Sequence, residues 1–579
     1  MKFDVAIIGG GPGGSTCGTL LKKYAPDLRV GIFERETFPR DHVGESQLPT
    51  ISAVLHEMGA WDKVEAAGFP VKIGATYRWG KSDDLWDFHF LPKGRFVDEP
   101  RPAKYAGQRL RTAFQVDRAL YDKILLDHAR ECGVEVFEGT GVSSLELDGD
   151  EIIALNLADG EEVQASIFVD ATGHVGFLRR ALGVGVEEPS SLKNVAFWDY
   201  WQNAEWAVKI GGGGTRVQVM SLGYGWIWFI PLGPTRTSVG LVCPADYYKK
   251  SGMRPQELYR KALAEEPRIA ALLKQATSEG KFETTKDWSF VAEQMAGENW
   301  MLVGESAGFA DPILAAGLTL THVGAKEAAY TLREILKEGG DRAWLFEQYT
   351  ARNRRRVLQH IRFADYWYTA NAHFSDLKEF TAVIAKDAGL DLDPEKAFQW
   401  LGTGGFVDED SDAGGLGTFS FFALHEINRW FVDGKIQTAY GGFNAFDPNL
   451  KRARSIRLPR YEMGRVRACA GYERDGKVLP MTGMFGRLMQ AFQKDRRVVQ
   501  ALQALAAACR ADGIDFTREV IDMAMETLEA MVRDGWLVGR VAPGAQPLSG
   551  DVIEGSLFIA KNRDDRLPPE RRAAALESP

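Results

Sequence analysis

A few residue groups in this chain have the types and spacings that do chemistry. Gly9, Gly11 and Gly14 stand at G-x-G-x-x-G spacing, with Pro12 among them, directly after the apolar run Val5-Ala6-Ile7-Ile8. Glycines so placed allow a tight turn, let backbone approach a pyrophosphate, and seat it on a helix N-terminus. Glu34 follows about 20 residues after the last of them, where a carboxylate meets a ribose 2′-hydroxyl. Together they predict a bound dinucleotide with a free 2′-hydroxyl, FAD or NAD, although the neighbouring Arg35 would suit a 2′-phosphate. Lys72 lies in VKIGATYRWG, beside an alternating strand pattern. A lysine buried among apolar groups has a lowered pKa and can act near neutral pH as a hydrogen-bond donor or an amine; the plainer alternative is a surface lysine on a strand edge. Metal chemistry has no support: H-E-x-x-H is absent, His174 and His322 are isolated, and the five cysteines form no C-x-x-C pair.

These groups need scaffolding, and the chain supplies a regular one. The first strand, a helix over 15–23 and a strand over 30–33 ending at Glu34 read as a βαβ start. The loop FPRDHVGESQLP (38–49) carries Gly44, Glu45 and Ser46 just before a helix. Helical spacing covers 112–131, with Asp117 as its cap and Arg118 at its start. The apolar run at 166–176 ends in the turn Asp170-Ala171-Thr172-Gly173, and aromatic strands with glycine turns over 194–244 predict an antiparallel sheet. A buried strand at 301–303 meets Gly304-Glu305; a loop through Asp311-Pro312 leads to a long helix starting near Ala316-Gly317. The basic run Arg354-Arg355-Arg356 reads as a solvated helix face. With 579 residues, two or three domains are expected: a core over 1–402, its substrate-side sheet at about 194–290; a linker, 403–418; a helical, winged-helix-like domain, 419–560; and a disordered tail, 561–579. A net charge of −9 gives no reason to expect nucleic acid or an anionic membrane as partner. Scattered cysteines, a first strand at the very start and no long apolar run predict a cytoplasmic protein without a membrane span.

Four of these stretches resemble the flavin-dependent halogenases, phenol- and acyl-type branch, over about residues 1–380. The 38–49 loop matches F-P-R-x-x-x-G-E-S-x-x-P, and 72–80 matches K-x-G-A-x-x-x-W-G, which aligns Lys72 with the family's catalytic lysine. Residues 226–231 form a full W-x-W-x-I-P, and 303–317 resemble the family's V-G-D-A…D-P…S-x-G pattern. The D-A-T-G turn is similar to that of glutathione-reductase-type FAD proteins. The resemblance implies an α/β FAD-binding Rossmann fold of that type, with FAD held by Gly9, Gly11, Pro12, Gly14, Glu34, Arg35, Gly44, Glu45, Ser46, Arg118, Asp170, Gly173, Gly304, Glu305, Asp311, Ala316 and Gly317. It implies chloride or bromide at the Ala316 and Gly317 N–H groups, and a substrate tunnel walled by Trp226, Trp228, Ile230 and Pro231. Reduced flavin and oxygen would form a C4a-hydroperoxide, halide would attack its distal oxygen, and hypohalous acid would reach a substrate near Lys72.

The departures also matter. Glu305 replaces the family's Asp, and Ala315 and Ala316 replace hydroxyl residues while keeping the backbone donors. Leu314 stands where the tryptophan branch has Glu, which disfavours free tryptophan and favours a phenol, a pyrrole or a carrier-bound acyl group. Only one dinucleotide fingerprint is present, so a separate flavin reductase is the expected partner. A flavin hydroxylase, a prenyl-reductase-like enzyme and a flavin-binding sensor are the rival readings. Asp287 is a carboxylate to check for covalent attachment of FAD.

Overall fold

Val5, Ala6 and Ile7 are fully buried in the strand Lys2–Ile8, as an apolar run closed by glycines requires. This strand pairs in parallel with Val30–Phe33 on one side and Glu162–Asp170 on the other. Glu135–Phe137 and Trp300–Leu302 extend the parallel order outward, and Glu151–Leu157 and Val142–Asp148 add an antiparallel edge, giving seven strands. The helix Pro12–Tyr24 follows the glycine turn and packs on the 22-residue helix Gly317–Glu338. The computed structural model describes residues 1–80, 83–91, 96–286, 289–387, 438–549 and 559–562. These fall into two compact units, 1–387 with 559–562, and 438–549. The expected linker 403–418 and Asp287 lie outside the described residues.

A second sheet of ten strands supplies the expected antiparallel wall, but it is wider than 194–290. Its path runs Thr277–Ser278, Asn194–Gln202, Arg236–Pro244, Gly225–Pro231, Gly214–Leu222, Val71–Arg78, Leu85–His89 and Ile559–Asn562, with Glu283–Lys286 and Ala113–Phe114 paired alongside. The Val71–Arg78 strand enters it parallel to Gly214–Leu222. The last strand, Ile559–Asn562, pairs antiparallel with Leu85–His89, so the expected boundary between a domain ending at 560 and a tail starting at 561 falls inside a strand. The edge strand's free backbone groups explain why a short segment far along the chain is held there.

Strand alternation assigns the two faces of this sheet. Lys72 lies opposite Thr215 and Ala75 opposite Val217, so two residues of one strand face one of its neighbour, a bulge. Gly74 permits it: its φ is +155°, and a Cβ there would lie 1.9 Å from the Phe88 carbonyl oxygen. The bulge puts Lys72 on the same face as Ala75 and Tyr77, where strict alternation would have turned it away. Carried across the ladder, that face holds Trp226, Trp228, Ile230, Ser238, Gly240, Trp198, Tyr200 and Asn194. The other face holds Ile227, Phe229, Val239 and Leu241, packed with Leu258, Tyr259, Ile269 and Leu272 from the helices Pro255–Glu265 and Pro267–Leu272. Pro231, opposite Thr237, alternates onto this second face and so does not share the tryptophans' wall.

Arg354 and Arg356 correct the expectation of a solvated basic face. Arg354 donates to Glu187 and to the Ala292 carbonyl, while Arg356 and Arg352 clamp the buried Glu327 on the Gly317–Glu338 helix. Burial pushes the Glu327 carboxyl up, but the two guanidiniums outweigh it and hold it at about 2. In the second unit, an antiparallel three-stranded meander over 454–480 precedes the helices Gly483–Lys494, Val498–Ala511 and Arg518–Arg533. Their apolar faces close over Phe446, Leu488, Phe492, Leu505, Met531 and Trp536. The expected helix-then-ribbon at 516–541 is a helix followed by the strand Leu537–Arg540, whose partner is Ala445–Pro448.

Candidate active site

The glycine turn is closed by backbone contacts that no side chain could enter. A Cβ on Gly14 would lie 2.0 Å from the Gly9 carbonyl oxygen, and one on Gly9 would lie 2.5 Å from the Ala171 oxygen of the D-A-T-G turn. Gly11 caps the Pro12–Tyr24 helix with no side-chain partner for its first N–H groups. Glu34 sits at the end of Val30–Phe33, where its carboxylate accepts the Gly10 N–H at 2.7 Å and the Glu36 N–H at 2.9 Å. Arg35 is exposed beside it and pairs with Glu36. Asp170 is fully buried, and its carboxylate accepts from the backbone N–H groups of Thr172 and Leu178, so it shapes the turn that carries Gly173.

The 44–46 loop is fastened by Arg118. Its guanidinium holds Asp122 bidentately and donates to the carbonyls of Val43 and Gly44 at 2.8 and 3.1 Å. This engages the arginine in loop positioning and leaves a buried positive charge near Glu45 and Glu305. Burial still raises both carboxyls above their usual range. Glu45 also accepts from Tyr200 on the sheet's tryptophan face at 3.2 Å. Ser46 bridges to Gln115, and the Ser46 hydroxyl and both amide atoms of Gln115 are buried with no hydrogen-bond partner.

Lys72 is almost completely buried; its ammonium donates to the Gln47 carbonyl at 2.8 Å and lies 5.4 Å from the Phe90 ring centre. With no carboxylate to offset it, burial lowers the amine to about 7. The surface-lysine alternative therefore fails. Across the same face, the Trp228 indole donates to Ser238 at 3.1 Å and packs on Gly240, where a Cβ would meet the ring at 2.1 Å. Trp226 and Trp228 lie 6.1 Å apart.

Gly304, at φ +70°, ends the Trp300–Leu302 strand segment, and Glu305 follows it with an oxygen 3.9 Å from where a Gly173 Cβ would stand. Asp311 caps the short turn Pro312–Leu314, accepting the Ile313 N–H at 2.9 Å. Ala315 adopts a left-handed conformation, and Ala316 caps the Gly317–Glu338 helix, which has no side-chain cap and no acidic residue in its first turn. Gly317 leaves room for the Phe309 ring, which a Cβ would meet at 2.7 Å. His322, further along, contacts Thr16 at 2.8 Å and Tyr121 at 2.9 Å, and burial lowers it to about 3, so it is a satisfied core residue. No group of metal-ligating side chains exists among the described residues.

The parallel sheet thus carries a dinucleotide turn, and one face of the ten-stranded sheet carries a buried lysine and a tryptophan strand. The family model for tryptophan halogenase matches residues 4–101 and 91–376. The chain belongs to the tryptophan halogenase family. This halogenase is 32% identical over 377 residues to a tryptophan 2-halogenase of Chondromyces crocatus, covering 64% of this chain and 68% of that one. It is 29% identical to a 1H-pyrrole-2-carbonyl-(peptidyl-carrier protein) chlorinase of Pseudomonas fluorescens, covering 64% and 85%. Among solved structures, the myxobacterial chondrochloren halogenase CndH matches with a TM-score of 0.57 and 26% identity over 75% of this chain and 97% of that one. The flavin-dependent halogenase CmlS shares the fold over 96% of this chain and 99% of its own, with a TM-score of 0.71 and 24% identity.

This halogenase is an FAD-dependent enzyme that uses a halide. Its residues fit the flavin nucleotide: the glycine cradle is too tight for any side chain, Glu34 keeps lone pairs for ribose hydroxyls, and Ser46 and Gln115 hold buried polar atoms that lack partners. Gln115 escaped the sequence reading. Its only sequence signal is a neutral amide inside the apolar run AFQV. No described helix is long and apolar enough to cross a membrane.

Proposed function

We propose that this halogenase oxidises chloride or bromide and halogenates an electron-rich aromatic or activated acyl substrate at Lys72. The observation that carries this is the placement of Lys72: a nearly dry amine, lowered to about 7, on the sheet face that also carries Trp226, Trp228 and Ile230. FAD, when bound and reduced, supplies the electrons that activate oxygen. At neutral pH the Lys72 amine is divided between charged and neutral forms, so it can donate a hydrogen bond to hypohalous acid or take the halogen on nitrogen. Trp226, Trp228 and Ile230 exclude water and keep the substrate at the lysine end of the face. The uncapped N–H groups at Ala316 and Gly317 suit a halide, which needs donors and no countercharge. Glu34 and the glycine turn hold the nucleotide end of the cofactor.

Two relatives, the chlorinase above and a brominase of Pseudoalteromonas luteoviolacea, are named for pyrrole-2-carbonyl groups on a peptidyl carrier protein. This supports a substrate tethered in trans. A separate flavin reductase provides the reduced cofactor, because the chain shows one dinucleotide turn only. The test is mass spectrometry of reactions with bromide, a flavin reductase, NADH and a panel of phenols, pyrroles, tryptophan and carrier-bound acyl thioesters. The expected result is the paired bromine isotope pattern on a phenol or carrier-bound pyrrole, dependent on the reductase. Products that gain one oxygen and no bromine would establish a hydroxylase instead.

A further inference from the structure

We propose that Tyr368, in the helix Arg342–Thr369 beyond all the motif stretches, is a positioning residue for the halide-binding turn, tying it to the tryptophan strand. Its hydroxyl is buried and fully used: it accepts the Trp226 indole N–H at 2.7 Å and an Asn194 amide N–H at 3.3 Å, and donates to Asp311 at 3.2 Å. Asn194 also donates to the other Asp311 oxygen at 3.3 Å. Asp311 in turn accepts the Ile313 N–H, while Tyr77, on the Lys72 strand, donates to the Ile313 carbonyl at 3.1 Å. The Ile313 carbonyl is thus fixed from the sheet, and its N–H through Asp311, which Asn194 and Tyr368 hold.

The next residues show what this clamp accomplishes. Ala315 is held at φ +53°, ψ +34°, a left-handed conformation that a residue with a Cβ rarely adopts, and its N–H closes on the Pro312 carbonyl at 2.9 Å. That twist aims the first N–H groups of the Gly317–Glu338 helix. Trp226 therefore acts through its indole N–H as a strut as well as through its ring as a wall. The inference rests on the reading that the Ala316–Gly317 donors hold the halide.

The experiment measures steady-state bromide dependence and oxidised-FAD affinity for wild type, Tyr368→Phe, Trp226→Phe and the double variant. Losing the hydroxyl leaves the buried Trp226 indole N–H without its acceptor and removes one of the donors that hold Asp311, so the bromide KM should rise about tenfold, with kcat and FAD affinity changing much less. Trp226→Phe should raise the bromide KM similarly, and the double variant should add little, because both act through one chain of bonds. Adding Ala315→Gly to Tyr368→Phe should recover most of the loss, since glycine takes the left-handed conformation without strain. A bromide KM unchanged in Tyr368→Phe, or raised only in step with a weakened FAD affinity, overturns the inference. Wild-type turnover that does not saturate with bromide would instead overturn the halide-site reading itself.

Discussion

Lys72 is a long cationic side chain in a place that solvates it with one carbonyl and one ring face. Its folded-state pKa of about 7 lies below the ordinary 10.5, so between those values the unfolded chain binds the proton that the folded chain has lost. The Lys72 contribution to stability must then rise with pH across that window, and Lys72→Met, apolar and similar in length, should remove that contribution from the slope. The difference in denaturant unfolding between the two proteins from pH 7 to about 10 checks this; identical slopes in both contradict the burial of Lys72. Other residues were readable only in part. Glu34 and the glycines declare themselves by spacing because a phosphate cradle has one backbone solution. Asp170 serves the backbone of its own turn, and a carboxylate after a strand reads the same in the sequence whether it does that or meets a ligand. Asn194 and Tyr368 carry no motif, since each acts through partners distant in sequence, and Gln115 shows only a buried amide without a partner.

At the scale of elements, the site depends on a register. The bulge at Gly74 sets Lys72 on the tryptophan face, and nothing in VKIGATYRWG distinguishes a bulged strand from a regular one except that glycine. Pro231 shows the same limit from the other side: W-x-W-x-I-P alternates, so its last residue faces the helices. The helix Gly317–Glu338, whose N-terminus faces the site, is anchored to the Arg342–Thr369 helix by Glu327 with Arg352 and Arg356. Arg356→Ala should cost about 3 kcal/mol, because it strips half the compensation from a buried carboxylate. The folded carboxyl titrates near 2 and the unfolded one near 4.5, so the contribution of Glu327 is complete above 4.5 and lost as pH falls toward 2. Urea midpoints at neutral and acid pH measure both effects; a variant as stable as wild type at neutral pH contradicts the anchor. The sequence pattern suggested a solvated face there because three consecutive arginines do not reveal an acid one helix away.

At the scale of the whole molecule, the first unit divides its work between two sheets: the parallel sheet presents the nucleotide turn and Glu305, and the ten-stranded sheet presents Lys72 and the tryptophans. The two-sheet plan was legible from the glycine fingerprint and the aromatic strands. The return of Ile559–Asn562 to the edge beside Leu85–His89 was not, because a four-residue strand owes its place to an open edge and carries little pattern of its own. In the function proposed above, the two sheets together deliver an oxidised halogen to Lys72. The most direct test of this compares wild type and Lys72→Ala in the same reaction with bromide, FAD, a flavin reductase and an accepted substrate, following NADH oxidation and brominated product together. Lys72→Ala should abolish the brominated product while NADH-driven flavin oxidation continues at the wild-type rate; brominated product that persists in Lys72→Ala would overturn the role proposed for Lys72.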